Sequence, residues 1–383
     1  MLALAAALTL AGSLQDPNGT GPRIPRAVDV PRTEVAAESE PTLDDALRLA
    51  ADDAAARALT WLAGTQRPEG FWQGLVGHKQ GDGYLPLRSV AQNEGLGEGH
   101  MGVTALAGMA FLAGGHLPDR GPHGATVRRT LDYVLAHVTD SGLATDGGTR
   151  MYSHAFATLF LAEVYGMGGS EPVRAGLERA VHLIVDCQNS QGGWRYNPFT
   201  QEADISVTVC QLQALRAARN IGIRVPKQTI DDAVAYVLRA RTERGRDRGL
   251  YYYKTAGRGA WDKNREYAIN AAAATALFSA GVTDEEIHAP TLDWLINEYR
   301  LVHAYYDTHY FYWYGNYYAC QAFYQAGGPR FLEYQRRITR DLIRSQRSDG
   351  RFVNDTGPGD PFATAVAALI LQLPKLYLPI FQR

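Results

Sequence analysis

The sequence predicts an all-α protein in which six helical hairpins close into a double ring, and three observations lead to this prediction. A polar, glycine-containing turn at 188–194 separates two helical segments, and weaker copies of it stand at 66–72 and 346–352. A helical pattern continues from Thr42 almost to the C-terminus, and no strand-like segment interrupts it. The helices alternate between amphipathic and almost wholly apolar, which is typical of an outer and an inner layer.

Six pairs of helices follow from this alternation. The amphipathic first helices are predicted at 42–65, 125–137, 172–187, 229–241, 284–299 and 329–345. The apolar or small-residue second helices are predicted at 100–115, 152–166, 204–219, 265–280, 308–326 and 361–373. Segments such as 271–274, four consecutive alanines, have no polar face and must be buried on all sides. Closing the ring removes the exposed terminal repeat that an open array has to cap.

Composition excludes some functions and favours others. The 38 Lys and Arg nearly balance the 40 Asp and Glu, which argues against a nucleic-acid or anionic-membrane partner. Three cysteines are too few for a disulfide framework or a paired-cysteine metal site. The 21 tyrosines indicate a lined cavity or a wet interface, because tyrosine combines an apolar ring with a polar tip. Nothing in the pattern fixes an oligomeric state.

The chain is predicted to consist of a signal-peptide-like segment and linker at 1–41 and a single domain at 42–383. The apolar run at 2–12 is too short to cross a bilayer, and small residues follow it. Basic residues before the run are absent. We therefore expect export to the periplasm or the medium without a transmembrane helix. A glycine-rich connection at 73–99 is long enough to serve as a rim or lid.

The turn at 188–194 resembles the repeated Gln–Trp motif of the α/α-toroid superfamily. That superfamily includes class II terpenoid cyclases of the squalene–hopene type and protein prenyltransferases. The layout is similar to the single-domain bacterial prenyltransferase/squalene oxidase repeat proteins, and the resemblance covers about 42–383. It implies an (α/α)6 toroid whose central cavity is walled by the first residues of the inner helices.

The resemblance also directs attention to the residues 204–208. Class II cyclases protonate their substrate from an Asp-x-Asp-Asp-Thr motif, whose middle aspartate is the proton donor. Here Asp204 and Thr208 match, but Ser206 stands at the donor position and Val207 at the third carboxylate. A serine hydroxyl is too weak an acid to protonate an alkene. Asp204 stays a candidate acid if burial raises its pKa, and an N-cap is the alternative role.

Protein prenyltransferases use a zinc ion held by Asp, Cys and His from three inner-helix starts, and the Asp-x-Cys part of that set is absent here. His100, His154 and His309 are predicted at three different inner-helix starts. With Asp204 or Asp307 they could form a zinc site with three nitrogen ligands and one oxygen ligand. Pocket-lining or capping histidines are the alternative, so zinc is a possible cofactor and no metal site is assigned.

The segment 305–318 carries nine aromatic residues in fourteen positions. Aromatic rings bury hydrocarbon and attract cations, so an isoprenoid-binding cavity and ordinary core packing are both open. The candidate catalytic residues are Asp204, His154, Asp307 and His309. The candidate ligand-binding residues are Tyr152, Ser206, Thr208, Tyr310, Trp313 and Tyr314.

Two functions remain open at this point. In the first, a toroid similar to terpenoid cyclases and prenyltransferases binds an isoprenoid or similar apolar molecule in its central aromatic cavity. Catalysis is in doubt in that case, because neither the cyclase acid nor the prenyltransferase zinc ligands are retained. In the second, the protein is a non-catalytic exported scaffold that binds a protein or a polysaccharide.

Overall fold

The computed structural model describes residues 44–74, 99–146, 150–255 and 264–381. The predicted signal-like segment and most of the predicted lid lie outside these residues. The described part contains twelve α-helices, namely α1 Asp45–Thr65, α2 Met101–Ala113, α3 Gly124–Ala136, α4 Arg150–Gly166, α5 Glu171–Asp186, α6 Ile205–Asn220, α7 Lys227–Arg239, α8 Tyr267–Ser279, α9 Glu285–Tyr306, α10 Tyr310–Ala326, α11 Gly328–Ser345 and α12 Asp360–Gln372. Two short 3-10 helices, Leu373–Lys375 and Pro379–Phe381, follow. The predicted helix pairs are confirmed.

The twelve helices form two concentric rings. The even-numbered helices pack side by side in the order α2, α4, α6, α8, α10 and α12, and α12 returns to contact α2. The odd-numbered helices lie outside them, and α1 packs on α12 and α11 at the point of closure. Every residue of α2 is buried, as expected for a helix of the inner ring. The all-α, (α/α)6 toroid prediction is confirmed. None of the described helices is long and apolar enough to cross a membrane.

In three of the turns, a glutamine binds the turn to the neighbouring outer helix. The side-chain Nε2 of each donates to a carbonyl within its own turn and to a backbone carbonyl of the next outer helix. The outer-helix contacts are Gln66 with Thr126, Gln188 with Thr229 and Gln346 with Ala54, at 3.1, 2.9 and 2.8 Å. The last of these joins the sixth repeat to α1. The same side chain that holds neighbouring repeats together therefore also closes the ring.

A second contact binds each turn to the inner helix that follows it. In five repeats, a backbone N–H at the end of the turn donates to a buried side chain on the inner helix, at 2.9 to 3.1 Å. We call these the turn ties. The pairs are Trp72 to Thr104, Ala144 to His154, Trp194 to Thr208, Tyr251 to Asn270 and Phe352 to Thr364. All five acceptor residues are 0% exposed. The ties place five inner helices in one common register.

Glu163 is an acidic side chain buried at the C-terminal end of α4. Its Oε2 accepts a hydrogen bond of 3.4 Å from the backbone N–H of Ile380 in the C-terminal tail. Burial raises the pKa of Glu163 to about 8, and the bond from Ile380 only partly opposes this. The carboxyl is therefore largely protonated at neutral pH.

We expect Gly192→Ala to destabilise the protein through its contact with the next outer helix. Gly192 has a φ of +87°, and an added Cβ would lie 2.5 Å from the carbonyl oxygen of Asp232 on α7. Gly222 is the matched control, because its φ is +89° but no atom lies within 4 Å of the added Cβ. Both alanines meet backbone strain, and Gly192→Ala should lose about 2 kcal/mol more unfolding free energy in urea titrations. Equal losses of unfolding free energy in the two variants would show that the chain relieves the contact between the added Cβ and Asp232 without a cost in stability.

We expect the stability of Glu163→Gln, relative to that of the wild type, to rise with pH. The folded wild type holds a proton on Glu163 that the unfolded chain releases, so the contribution of Glu163 to stability is lost from the unfolded pKa of 4.5 up to about 8 and then levels off. The variant should equal the wild type near pH 4.5 and exceed it by on the order of 4 kcal/mol above pH 8. Urea unfolding at several pH values measures the difference. A difference that does not change with pH would contradict the assignment.

Candidate ligand-binding site at the mouth of the ring

The first turns of three inner helices meet at one end of the ring. The hydroxyl of Tyr152 on α4 is hydrogen-bonded to Oγ of Ser206 on α6. The hydroxyl of Tyr314 on α10 donates to the backbone carbonyl of Ser206 at 3.0 Å. The two tyrosine rings lie edge to face, with centroids 6.3 Å apart. Three of the six residues predicted to bind ligand are therefore brought together, although they come from three separate repeats.

Asp204 stands beside this group as the N-cap of α6 and is 0% exposed. Its Oδ1 accepts hydrogen bonds from the backbone N–H of Val207 at 2.9 Å and from the Ser206 hydroxyl at 2.7 Å. Its Oδ2 accepts from Nη1 of Arg195 at 2.7 Å. Every one of these partners donates, so both carboxylate oxygens of Asp204 act as hydrogen-bond acceptors. In this arrangement Asp204 serves as a helix cap and as the partner of Arg195.

Arg195 links Asp204 to two tyrosines. Burial is the largest single effect and opposes the charge of Arg195, but attraction from Asp204, Tyr253 and Tyr196, together with the hydrogen bond to Asp204, outweighs it and raises the pKa of the guanidinium. The guanidinium lies over the Tyr196 ring, 4.4 Å from its centroid, and 3.5 Å from the Tyr253 hydroxyl. The two tyrosine hydroxyls are hydrogen-bonded to each other. Asp204 is thus held within a network of hydrogen bonds, and its catalytic role stays a prediction.

The charges of this network balance. Nε of Arg195 lies 3.5 Å from a carboxylate oxygen of Glu202, and Nζ of Lys254 lies 3.4 Å from the same oxygen. Two cations therefore face two carboxylates, Asp204 and Glu202. An anionic ligand would have to displace one of these pairs, so the network does not form a ready anion site.

Below the mouth, the centre of the ring is lined by aromatic side chains from opposite inner helices. Phe156 of α4 and Tyr317 of α10 pack edge to face with ring centroids 5.8 Å apart. Sγ of Cys210 lies 3.0 Å from the Tyr318 hydroxyl. Burial raises the pKa of Cys210 to about 12, so it is an inert thiol. This level of the ring is apolar except for a few hydroxyl groups.

The structure gives four other predicted site residues packing or capping positions. His154 and Thr208 are acceptors of turn ties. Trp313 is buried, and its Nε1 donates to the backbone carbonyl of Val353 at 3.1 Å. His309 is the N-cap of α10, where its Nδ1 accepts from the backbone N–H of Phe311.

Two predicted residues lie at the edge of the site. Asp307 is exposed as the C-cap of α9, and Tyr310 is half-buried at the start of α10. The catalytic roles of Asp307 and His309 stay predictions.

The described histidines and aspartates do not form the hypothetical zinc site. Among the described residues, no group of three or more His, Cys, Asp or Glu side chains is arranged to hold a metal ion. The reason is visible at two of the histidines. Nδ1 of His154 accepts from Ala144, and its Nε2 lies 3.2 Å from the Ala180 carbonyl. Nδ1 of His100 accepts from the backbone N–H of Val103.

Arg195 and Tyr196 were not among the candidate residues drawn from the sequence. Arg195 follows Trp194 directly, at the end of the turn. An arginine at that point, with an acidic N-cap nine residues later, is a sequence pattern that could have predicted the ion pair. The pairing of Tyr196 with Tyr253 depends on the contact between two loops and has no counterpart in linear spacing.

We expect Asp204→Asn to destabilise the protein by about 3 kcal/mol, because it leaves the Arg195 charge without its buried partner. Asparagine is as good an N-cap as aspartate, so the loss reports the ion pair and not the cap. Urea unfolding measures it. The double variant with Arg195→Met removes both charges and should recover most of the loss. If Asp204→Asn alone is as stable as the wild type, the buried ion pair does not stabilise the fold.

Comparisons with known proteins identify the fold. No family model and no curated protein matches the sequence. Among solved structures, the type II terpene cyclase MstE from Scytonema, in complex with geranylgeranyl dihydroxybenzoate, is 14% identical with a TM-score of 0.57, over 87% of this chain and 100% of that one. The α-1,6-mannanase GH76A of Salegentibacter sp. HEL1_6, an inactive variant in complex with α-1,6-mannotriose, is 7% identical with a TM-score of 0.59, over 84% and 98%.

The family 76 mannosidase Bt3792 from Bacteroides thetaiotaomicron is 12% identical with a TM-score of 0.56, over 84% of this chain and 97% of that one. At these identities the likeness concerns the fold alone. Terpene cyclases and family 76 glycosidases share the α/α toroid, and this chain has the same fold.

Proposed function

We propose that this protein binds an isoprenoid or similar apolar small molecule in the centre of the ring. The observation that carries the proposal is the pair of aromatic contacts between α4 and α10, which lie on opposite sides of the inner ring. Tyr152 faces Tyr314 at the mouth, and Phe156 faces Tyr317 below it. Stacked aromatic edges give an apolar wall that buries hydrocarbon effectively.

Small residues stand at the same level on α2 and α8, which lie opposite each other on either side of this aromatic pair. The turn ties put Gly102 of α2 and Ala268 of α8 in the same register as Tyr152 and Ser206, each two positions before the acceptor of its tie. At this level α2 packs closely on α4, because an added Cβ at Gly102 would lie 3.1 Å from Ser153 Oγ, and the short side chains add no bulk toward the aromatic pair. A slender apolar ligand lying beside the aromatic pair fits this distribution of large and small side chains.

The chemistry of the mouth favours binding over catalysis. Asp204 accepts three hydrogen bonds, so its oxygens are already engaged in capping α6 and in holding Arg195. Hydrolysis of a glycosidic bond needs two carboxyl groups with separate roles. In the described part of the mouth, both carboxylates are ion-paired. Asp204 pairs with Arg195, and Glu202 pairs with Arg195 and Lys254. The terpene cyclase MstE was solved with an isoprenoid-bearing substrate, which supports the ligand class on a shared fold.

The test is titration of the C15 hydrocarbon farnesene into the purified protein and two matched variants. Phe156→Ala removes a ring that faces Tyr317, and we expect affinity to fall about tenfold from the lost apolar contact. Phe160→Ala is the control, one turn along the same helix. Its ring packs against Gly108 of α2, so this variant should lose stability but keep its affinity. Absence of farnesene binding by the wild type would refute the proposal.

A second candidate is the exported, non-catalytic scaffold that binds a polysaccharide or a protein. The observation that favours it is the exposed end of α9, where Leu301, Tyr305 and Tyr306 are 53, 78 and 40% exposed. Exposed aromatic rings suit stacking on sugars or on a protein partner. Binding of α-1,6-mannotriose that is lost in Tyr305→Ala, without any farnesene binding, would favour this function.

A further inference from the structure

His100 carries a buried donor that the protein does not use. It is the N-cap of α2, and its Nδ1 accepts from the backbone N–H of Val103 at 3.2 Å. An accepting Nδ1 assigns the ring proton of the neutral imidazole to Nε2. Burial lowers the pKa of His100 to about 4, so the ring is neutral at physiological pH. The side chain is 4% exposed, and Nε2 has no hydrogen-bond partner among the described residues.

The free edge of this imidazole is bordered by two glycines. An added Cβ at Gly74 would lie 2.2 Å from Cδ2 of His100, and one at Gly102 would lie 3.5 Å from Cε1. These two carbons flank Nε2 in the ring. Gly74 lies against Cδ2, Cγ and Cβ of the side chain, so any larger residue there would displace the imidazole.

Ser153 of α4 borders the same space. An added Cβ at Gly102 would lie 3.1 Å from Ser153 Oγ, so this hydroxyl and the His100 ring edge face one glycine. Ser153 is 0% exposed, and its Oγ also lacks a partner in the described structure. Leaving such buried polar groups unpaired costs about 1–3 kcal/mol each, so an acceptor placed between them would be bound favourably.

The electrostatics of this space favour a neutral acceptor. The carboxylate of Asp146 acts on the His100 ring. Its Oδ2 accepts from the backbone N–H of Gly99 at 3.1 Å and from the Tyr133 hydroxyl. A negative charge in this position repels an anionic head group. A hydroxyl or carbonyl oxygen accepts from an imidazole N–H without meeting that repulsion.

We propose that His100 Nε2, Ser153 Oγ and Gly102 form a polar subsite that holds a neutral oxygen, a hydroxyl or a carbonyl, at one end of the apolar ligand. The subsite adjoins the ring centre, because Gly102 shares the register of Tyr152 and Ser206. This inference rests on the proposed function. It narrows the ligand class to an isoprenoid-like alcohol, aldehyde or ketone, and it excludes a diphosphate ester.

The experiment titrates farnesol, farnesene and farnesyl diphosphate into the wild type, His100→Asn and His123→Asn. Asparagine keeps an N-cap acceptor for Val103 but removes the Nε2 donor. The wild type should bind farnesol about tenfold tighter than farnesene, as expected for one added neutral hydrogen bond, and should bind the diphosphate most weakly. His100→Asn should lose the preference for farnesol and keep its affinity for farnesene. His123, an N-cap on the outer helix α3, is the control and should change nothing.

The outcomes separate the two proposals. Equal binding of farnesol and farnesene by the wild type, tighter binding of the diphosphate, or a preference that survives in His100→Asn each overturns the subsite but not the apolar site. Failure of all three probes to bind overturns both. If His100→Asn does not fold, histidine side-chain NMR of the wild type decides. Farnesol, but not farnesene, should shift the His100 Nε2–H resonance, and an unshifted resonance overturns the subsite.

Discussion

The structure depends on the hydrogen bond that ties each turn to the following inner helix. A backbone N–H buried between two layers of helices must find an acceptor, because an unpaired buried amide costs about as much as several favourable contacts return. In five repeats the acceptor is a side chain of the inner helix, a threonine in three of them, a histidine in one and an asparagine in one. In three of these five turns a glutamine also fixes the turn to the outer ring.

This constraint also builds the site. Once the inner helices share a register, their first turns lie at the same level and face one another across the mouth. Tyr152 and Tyr314 can then meet although half the ring separates their helices. Asp204 stands one turn before the tie residue Thr208, where it caps α6 and holds Arg195. The same arrangement therefore gives Asp204 a structural role as cap and ion-pair partner, and it brings aromatic side chains from opposite helices together at the centre of the ring.

The helices and the closed ring could be predicted because they follow from local patterns of apolar residues and from the repeat. The roles of His154 and Thr208 could not. Their partners are backbone amides, and the separation along the chain between donor and acceptor varies from 10 to 32 residues among the ties. Linear spacing therefore carries no signature of them. A histidine at the start of an inner helix looks the same in sequence whether it binds a ligand, as proposed for His100, or a turn.

Hydrogen exchange of the five tie amides, in Trp72, Ala144, Trp194, Tyr251 and Phe352, tests the account most directly. These amides lie outside helices, so their protection must come from the ties. If the ties hold the register, all five should exchange only through global unfolding, with protection comparable to that of amides within the inner helices. Exchange at the rate of exposed loop amides would contradict the account, because the register would then be set by helix packing alone.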